Sequence, residues 1–307
     1  MQNYRRSNKV EHFILIFVDG LGVGVNDSTR NPLARDSFQL LSLFQDESNP
    51  KPILHGGIAF GVDATLGVSG LPQSATGQTA LLTGINTSQM LGHHLSGFPN
   101  ARLRGVLQEK SLLKQLQQHG CRAAFLNTFQ PPFFDHNPYD IVRYLSTTTL
   151  ANLYAGLPFF TLDDLLGRRS IYQDITNEML QAKGFAVPLF TPEEAGAIVA
   201  DRAQQYDFVL FEFFQTDRAG HAQDFARAIG ELRKLERFLL SLIQRIELEK
   251  TLVLITSDHG NIEDLSIKSH TRNPALTLAF GPEVDELAQL LEKLTDFVPL
   301  ILSTCSR

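Results

Sequence analysis

Leu252-Val253-Leu254-Ile255-Thr256-Ser257-Asp258-His259-Gly260-Asn261 joins a run of apolar, mostly branched residues directly to an acid and an imidazole. Such a run reads as a strand buried on both faces, the kind found in a sheet covered on both sides. The Asp and His then stand at the strand's carboxyl end, where open α/β sheets carry their chemistry.

The same grammar recurs twice. His12-Phe13-Ile14-Leu15-Ile16-Phe17-Val18 ends in Asp19-Gly20, and Asp207-Phe208-Val209-Leu210-Phe211-Glu212-Phe213-Phe214 leads into Gln215-Thr216-Asp217-Arg218-Ala219-Gly220-His221. Asp217 and His221 are four apart, so one helical face presents both side chains to a single ion. A further imidazole, His270, lies in Ser269-His270-Thr271-Arg272-Asn273-Pro274. Three strand ends thus offer Asp19, Asp217, His221, Asp258 and His259, with His270 beside them.

Working outward, strands alternate with helical patterns, which predicts an α/β fold: a mostly parallel sheet with helices on both faces. Strands are expected over 12–18, 122–127, 207–214, 251–256 and 275–280. Helices are expected over 74–84, from Ser111 to His119 before Gly120, and from the Thr191-Pro192-Glu193-Glu194 start to about Tyr206. One long amphipathic helix is expected from Ala222 to Leu248. Between Phe129 and Pro188 the alternation weakens, opening on Phe129-Gln130-Pro131-Pro132-Phe133-Phe134, which suits neither a helix nor a central strand. The expected organisation is a metal-binding catalytic core made of 1–90 and 191–307, with 91–190 as a small inserted cap.

A chain of 307 residues with 43% hydrophobic content is long enough to bury a large core. A net charge of -6 gives no reason to expect a nucleic-acid backbone or a membrane as partner. Cys121 and Cys305 are the only cysteines, without disulfide or metal-ligand spacing, and Met1 to Val10 has no signal-like apolar stretch. The expectation is a cytoplasmic protein in a reducing compartment.

A nucleophile is available in Gly70-Leu71-Pro72-Gln73-Ser74-Ala75-Thr76-Gly77-Gln78-Thr79. Ser74 would open a helix, whose free N–H groups and positive end favour a phosphate group. A serine hydroxyl is a weak nucleophile at neutral pH, and coordination to a divalent cation can activate it as it activates water.

Asp19-Gly20, the Ser74 turn, Asp217 to His221, Ser257 to Asn261 and His270 to Pro274 follow, in order, the pattern of the alkaline phosphatase superfamily. The resemblance is to its metalloenzyme branch, which holds cofactor-independent phosphoglycerate mutase and phosphopentomutase, and covers about 1–90 and 205–282. It implies two divalent cations, Mn²⁺ or Zn²⁺: one held by Asp19, Asp258, His259 and the Ser74 oxygen, the other by Asp217, His221 and His270. It further implies a phosphoserine intermediate at Ser74 and a small phosphorylated substrate. The mutases carry His after the glycine of the nucleophile turn, where this chain has Gln78, and it has no counterpart of the phosphoglycerate mutase arginine cluster.

Taken singly, each residue has an ordinary reading. Asp19 could be a turn residue, Ser74 a helix cap, and Asp217 with His221 a surface pair. Jointly those readings fail, because unrelated caps and pairs have no reason to recur in one order. The expected function is a two-metal phosphomonoester hydrolase. A phosphomutase, a non-catalytic metal-binding relative and an enzyme of sulfate esters or phosphodiesters are the alternatives. The Ser74 turn lacks the Cys/Ser-x-Pro-x-Arg pattern of sulfatases.

Overall fold

The computed structural model describes residues 10–47 and 49–305. Seven strands form one sheet: β1 (His12–Val18), β2 (Lys51–Ile53), β3 (Gly57–Val62), β4 (Ala123–Phe125), β5 (Phe208–Phe213), β6 (Thr251–Thr256) and β7 (Ala275–Phe280). Their order across the sheet is β2-β3-β7-β6-β1-β5-β4. β6, β1, β5 and β4 are mutually parallel, and three antiparallel pairings add β7, β3 and β2 at the other edge. Five strands therefore share one direction, and β7 and β2 oppose them.

Alternation along β1 shows why both faces are covered. Ile14, Ile16 and Val18 enter one core, while Phe13, Leu15 and Phe17 enter a second on the opposite face. Helices Pro192–Ala203 and Phe225–Arg245 close the first core; Ser74–Thr83, Leu112–Gln118 and Thr147–Ala155 close the second. The Thr191 capping box forms as its sequence predicts, with Thr191 Oγ1 accepting from the Glu194 amide and the Glu194 carboxylate accepting from that of Thr191.

The long helix expected from Ala222 to Leu248 forms as Phe225–Arg245; a separate helix, Gln215–Ala222, ends just before Gln223, whose φ is +54°, and Asp224 opens the long one with its carboxylate accepting from the Ala226 and Arg227 amides. The stretch 91–190 does not stand apart as a whole: β4 lies within it and pairs with β5, and Leu107, Leu112 and Leu150 belong to the second core. β4 itself falls inside the strand expected over 122–127 and is shorter than expected.

β4 ends at Phe125, yet its pairing continues. Leu126 donates to the Leu210 carbonyl at 2.8 Å, and the Asn127 side chain then imitates the next rung: Nδ2 donates to the Glu212 carbonyl at 2.8 Å and Oδ1 accepts from the Glu212 amide at 2.9 Å. Asn127→Ala leaves two buried backbone groups unpaired, at a cost of about 2–4 kcal/mol. Urea unfolding should show that loss, and Asn127→Asp should not recover it, because its second carboxylate oxygen would face the Glu212 carbonyl where Nδ2 now donates.

Candidate metal centre

Parallel strands deliver their carboxyl ends to one edge, and the reversed β7 begins at that edge. Asp19 follows β1, Asp217 and His221 lie in the helix after β5, Asp258 and His259 follow β6, and His270 is carried by the loop entering β7. Ser74 is the first residue of its helix and reaches the cluster from the second-core face. The structure brings all seven residues together.

His259 stands at the centre. Its Nε2 is 2.9 Å from Ser74 Oγ, 3.3 Å from Asp19 Oδ1 and 3.5 Å from Asp258 Oδ2. Its ring stacks on His270 with centroids 3.7 Å apart. Asp217 Oδ2 lies 3.4 Å from His221 Nε2, and Asp217 Oδ1 lies 3.6 Å from His270 Nε2. Two groups of possible ligand atoms result, Asp19–Asp258–His259 and Asp217–His259–His270, each with its atoms within 4.8 Å of one another. His259 belongs to both groups.

The imidazole tautomers point the same way. His270 Nδ1 faces the Pro72 carbonyl and His221 Nδ1 faces the Lys268 carbonyl, both at 2.8 Å, so each Nδ1 must carry the proton. Both Nε2 atoms are then turned toward the cluster and face each other at 3.2 Å, where a cation could accept from both. Asp19 Oδ1 and Asp258 Oδ2 are likewise buried without a hydrogen-bond partner. Orphaned carboxylate oxygens opposite imidazole lone pairs fit divalent cations of the Zn²⁺ or Mn²⁺ kind.

The electrostatics agree. Burial, reinforced by Asp258 and Asp217, holds the Asp19 carboxyl well above the usual range. Burial likewise pushes Asp258 up to about 8. The same desolvation lowers His259 and His270, the former strongly, and keeps both neutral and able to donate lone pairs.

Supporting residues lie just behind. Gln78 donates from Nε2 to Asp19 Oδ2 at 3.3 Å, and Asn261 donates to Asp217 Oδ1 at 2.6 Å. Glu263 is fully buried and accepts from the Gly22 and Asn261 amides, Thr271 Oγ1 and Asn273 Nδ2, so it ties together the loops after β1 and β6 and before β7. Two backbone approaches are too close for a side chain: a Cβ on Gly77 would lie 2.9 Å from the Asp258 carbonyl, and one on Gly20, at φ +72°, 2.9 Å from Asp217.

Sequence reasoning missed Glu263 and Glu212. Glu212 is the one charged residue in β5, and alternation places it on the face of the Ser74 helix, where Thr148 Oγ1 donates to its Oε2 at 2.5 Å. A lone acid inside an otherwise apolar strand was the available signal. In contrast, His94 hydrogen-bonds Ser88 and the Val68 carbonyl, and Arg102 and Arg104 donate to backbone carbonyls, so none of them reaches the cluster.

Residues 190–304 match the model of the Metalloenzyme superfamily. The 2,3-bisphosphoglycerate-independent phosphoglycerate mutase of Moorella thermoacetica is 30% identical over 78 residues, 25% of this chain and 15% of that one. A second such mutase, from Methanosarcina barkeri, is 25% identical over 150 residues, 44% of this chain and 28% of its own length. The chain thus spans well under a third of the length of these relatives. Among solved structures, the PH0037 protein of Pyrococcus horikoshii aligns at a TM-score of 0.57 with 14% identity over 97% of both chains. The alkaline phosphatase of the Antarctic bacterium TAB5 aligns at 0.54 with 15% identity over 97% of this chain and 98% of that one. The fold is alkaline-phosphatase-like, and the resemblance to the metalloenzyme branch read from the motifs stands.

The raised carboxyls give the metal-free protein a defined pH response. A folded-state pKa above the unfolded value means stability that is present below the usual carboxylate range and lost as pH rises toward about 8. Thermal melts of chelator-treated protein should therefore fall across that window, and Asp258→Asn should flatten the decline. With Mn²⁺ or Zn²⁺ at roughly 100 times its dissociation constant, the wild type should gain about 2.7 kcal/mol, a gain that Asp258→Asn forfeits.

Proposed function

We propose that this chain of the alkaline phosphatase superfamily is a two-metal phosphomonoester hydrolase acting through Ser74 on a small phosphorylated substrate. Asp19, Asp258, His259 and Ser74 would hold one cation, and Asp217, His221 and His270 the other. The observation that carries the reading is the position of Ser74. Its hydroxyl opens a ten-residue helix, lies 2.9 Å from His259 Nε2, and lines a cavity of about 510 Å³ together with Asp19 and Gln78.

Bound cations would neutralise charge on the attacking and departing oxygens. The chain supplies the rest. The Ser74 hydroxyl lies 2.9 Å from His259 Nε2, and ligation of Nε2 would release it from that contact. Ser74 Oγ then gives up its proton to solvent and bonds to phosphorus, the ester P–O bond breaks, and the alcohol leaves with the electron pair and takes up a proton from solvent. Water attacks the phosphoserine, the Oγ–P bond breaks, Oγ takes a proton from the attacking water, and inorganic phosphate leaves. Gln78 fixes the Asp19 carboxylate throughout, in the position where the mutases carry a histidine.

Hydrolysis is favoured over internal transfer by the mouth of the cavity. A mutase must enclose its dephosphorylated product and exclude water. Here Phe98 and Tyr144, which line the cavity, are 53% and 58% exposed. Part of the region expected as a cap, from Phe129 to Gln173, walls the cavity on one side, and we propose it as a partial lid.

Metal-loaded protein should release free phosphate from a simple monoester, and Ser74→Ala should lower kcat by several orders of magnitude while retaining its metal. Phosphate release measured beside metal content checks both halves. Full activity in Ser74→Ala would replace the covalent route with direct attack by water, and isomerised product without phosphate would make the enzyme a mutase.

A further inference from the structure

The cavity beside Ser74 is far larger than a phosphate group needs, and its lining has a definite chemistry. Phe125, Phe129 and Phe133 build one wall, with Phe129 and Phe133 centroids 4.5 Å apart and Phe125 edge-on to Phe129 at 6.1 Å. Tyr172 adds a further ring, its hydroxyl bonded to Gln130, and Phe98 and Tyr144 form a half-exposed rim. Among the described residues no Lys, Arg or His lines the cavity, and Arg143, which stacks on Tyr144, is not part of the lining. The acids that line it are Asp19 and Glu212.

A second anionic group on the substrate, such as a carboxylate, would find no guanidinium or ammonium group in the lining to pair with. An uncharged ring would find stacking surfaces on the wall and would cover the exposed rim aromatics. Polar edges of such a ring could be met by Gln130, Ser146 and Gln173.

We propose that this cavity selects a phosphomonoester whose alcohol carries a neutral aromatic ring, with Phe129 and Phe133 as the stacking platform. The assignment rests on the phosphoryl-transfer reading of Ser74.

Benzyl phosphate and ethyl phosphate separate the two, because both leaving groups are simple alkoxides of similar basicity and differ in the ring. Metal-loaded enzyme should prefer benzyl phosphate by at least about tenfold in kcat/KM, the scale of discrimination an apolar pocket provides. 3-Phosphoglycerate should be the poorest of the three. Phe129→Ala should remove the benzyl preference, and the milder Phe129→Leu should reduce it. Equal kcat/KM for benzyl and ethyl phosphate overturns the inference and leaves the hydrolase reading intact. If no ester is hydrolysed, the hydrolase reading fails, and calorimetry on Ser74→Ala decides the inference by itself: tighter binding of benzyl than of ethyl phosphate, by about tenfold, sustains it, and equal binding overturns it.

Discussion

Three acids, Asp19, Asp217 and Asp258, meet at one sheet edge with imidazoles as their neighbours, and among the described residues no Lys or Arg forms an ion pair with them. Two like charges within 4.8 Å would repel by about 3 kcal/mol at an effective dielectric near 20, and burial raises the cost further. Without a cation the cluster avoids that cost by holding protons on Asp19 and Asp258 well above the usual carboxylate range. The chemistry of the donors therefore selects what completes the site, and the selection falls on small divalent cations rather than on a lysine or arginine.

That cluster dictates how tightly the surrounding backbone must pack. The Ser74 helix has to approach the loop after β6 until Gly77 touches the Asp258 carbonyl, and the loop after β1 has to pass Asp217 at Gly20. Neither approach accommodates a Cβ. Glu263 then spends its buried carboxylate on four donors from three loops, which converts separately encoded strand ends into one rigid rim. The acids at the edge are held apart from water and from one another by this frame, so ligand positions do not depend on flexible side chains finding each other.

Legibility in the sequence followed the strength of local signals. β1, β5, β6 and β7 are six or seven residues of nearly unbroken apolar character, and their reading gave the sheet and its functional edge. The capping box at Thr191 and the Asp217/His221 spacing are likewise local codes. β4, three residues long, falls inside the strand expected over 122–127, whereas β2 was not expected, because three residues give too little alternation to mark a strand. The long helix was legible to within three residues at either end, and the left-handed Gln223 that sets its start leaves no periodic trace. Glu263 was missed for a different reason: its meaning lies in which loops it joins, and that is a property of the assembled fold.

The division of labour between the two parts of the chain bears on specificity. The residues that gather the carboxylates and imidazoles come from the ends, before about 80 and after about 210, and they are the part that resembles the metalloenzymes. The aromatic wall comes from the middle, Phe125 to Tyr172, where sequence signals were weakest and the expected cap was only partly detached from the sheet. β4 explains how these parts are coupled. By joining β5 in the sheet it anchors Phe125 one strand away from the helix that carries Asp217, and Asn127 extends that anchorage to the backbone of Glu212. The proposed alcohol-binding surface is therefore fixed to the same rigid sheet as the edge that gathers the carboxylates and imidazoles. On the proposed reading, changes in the middle segment would alter which alcohol is accepted without disturbing the cluster, whereas changes at the strand ends would alter the cluster itself.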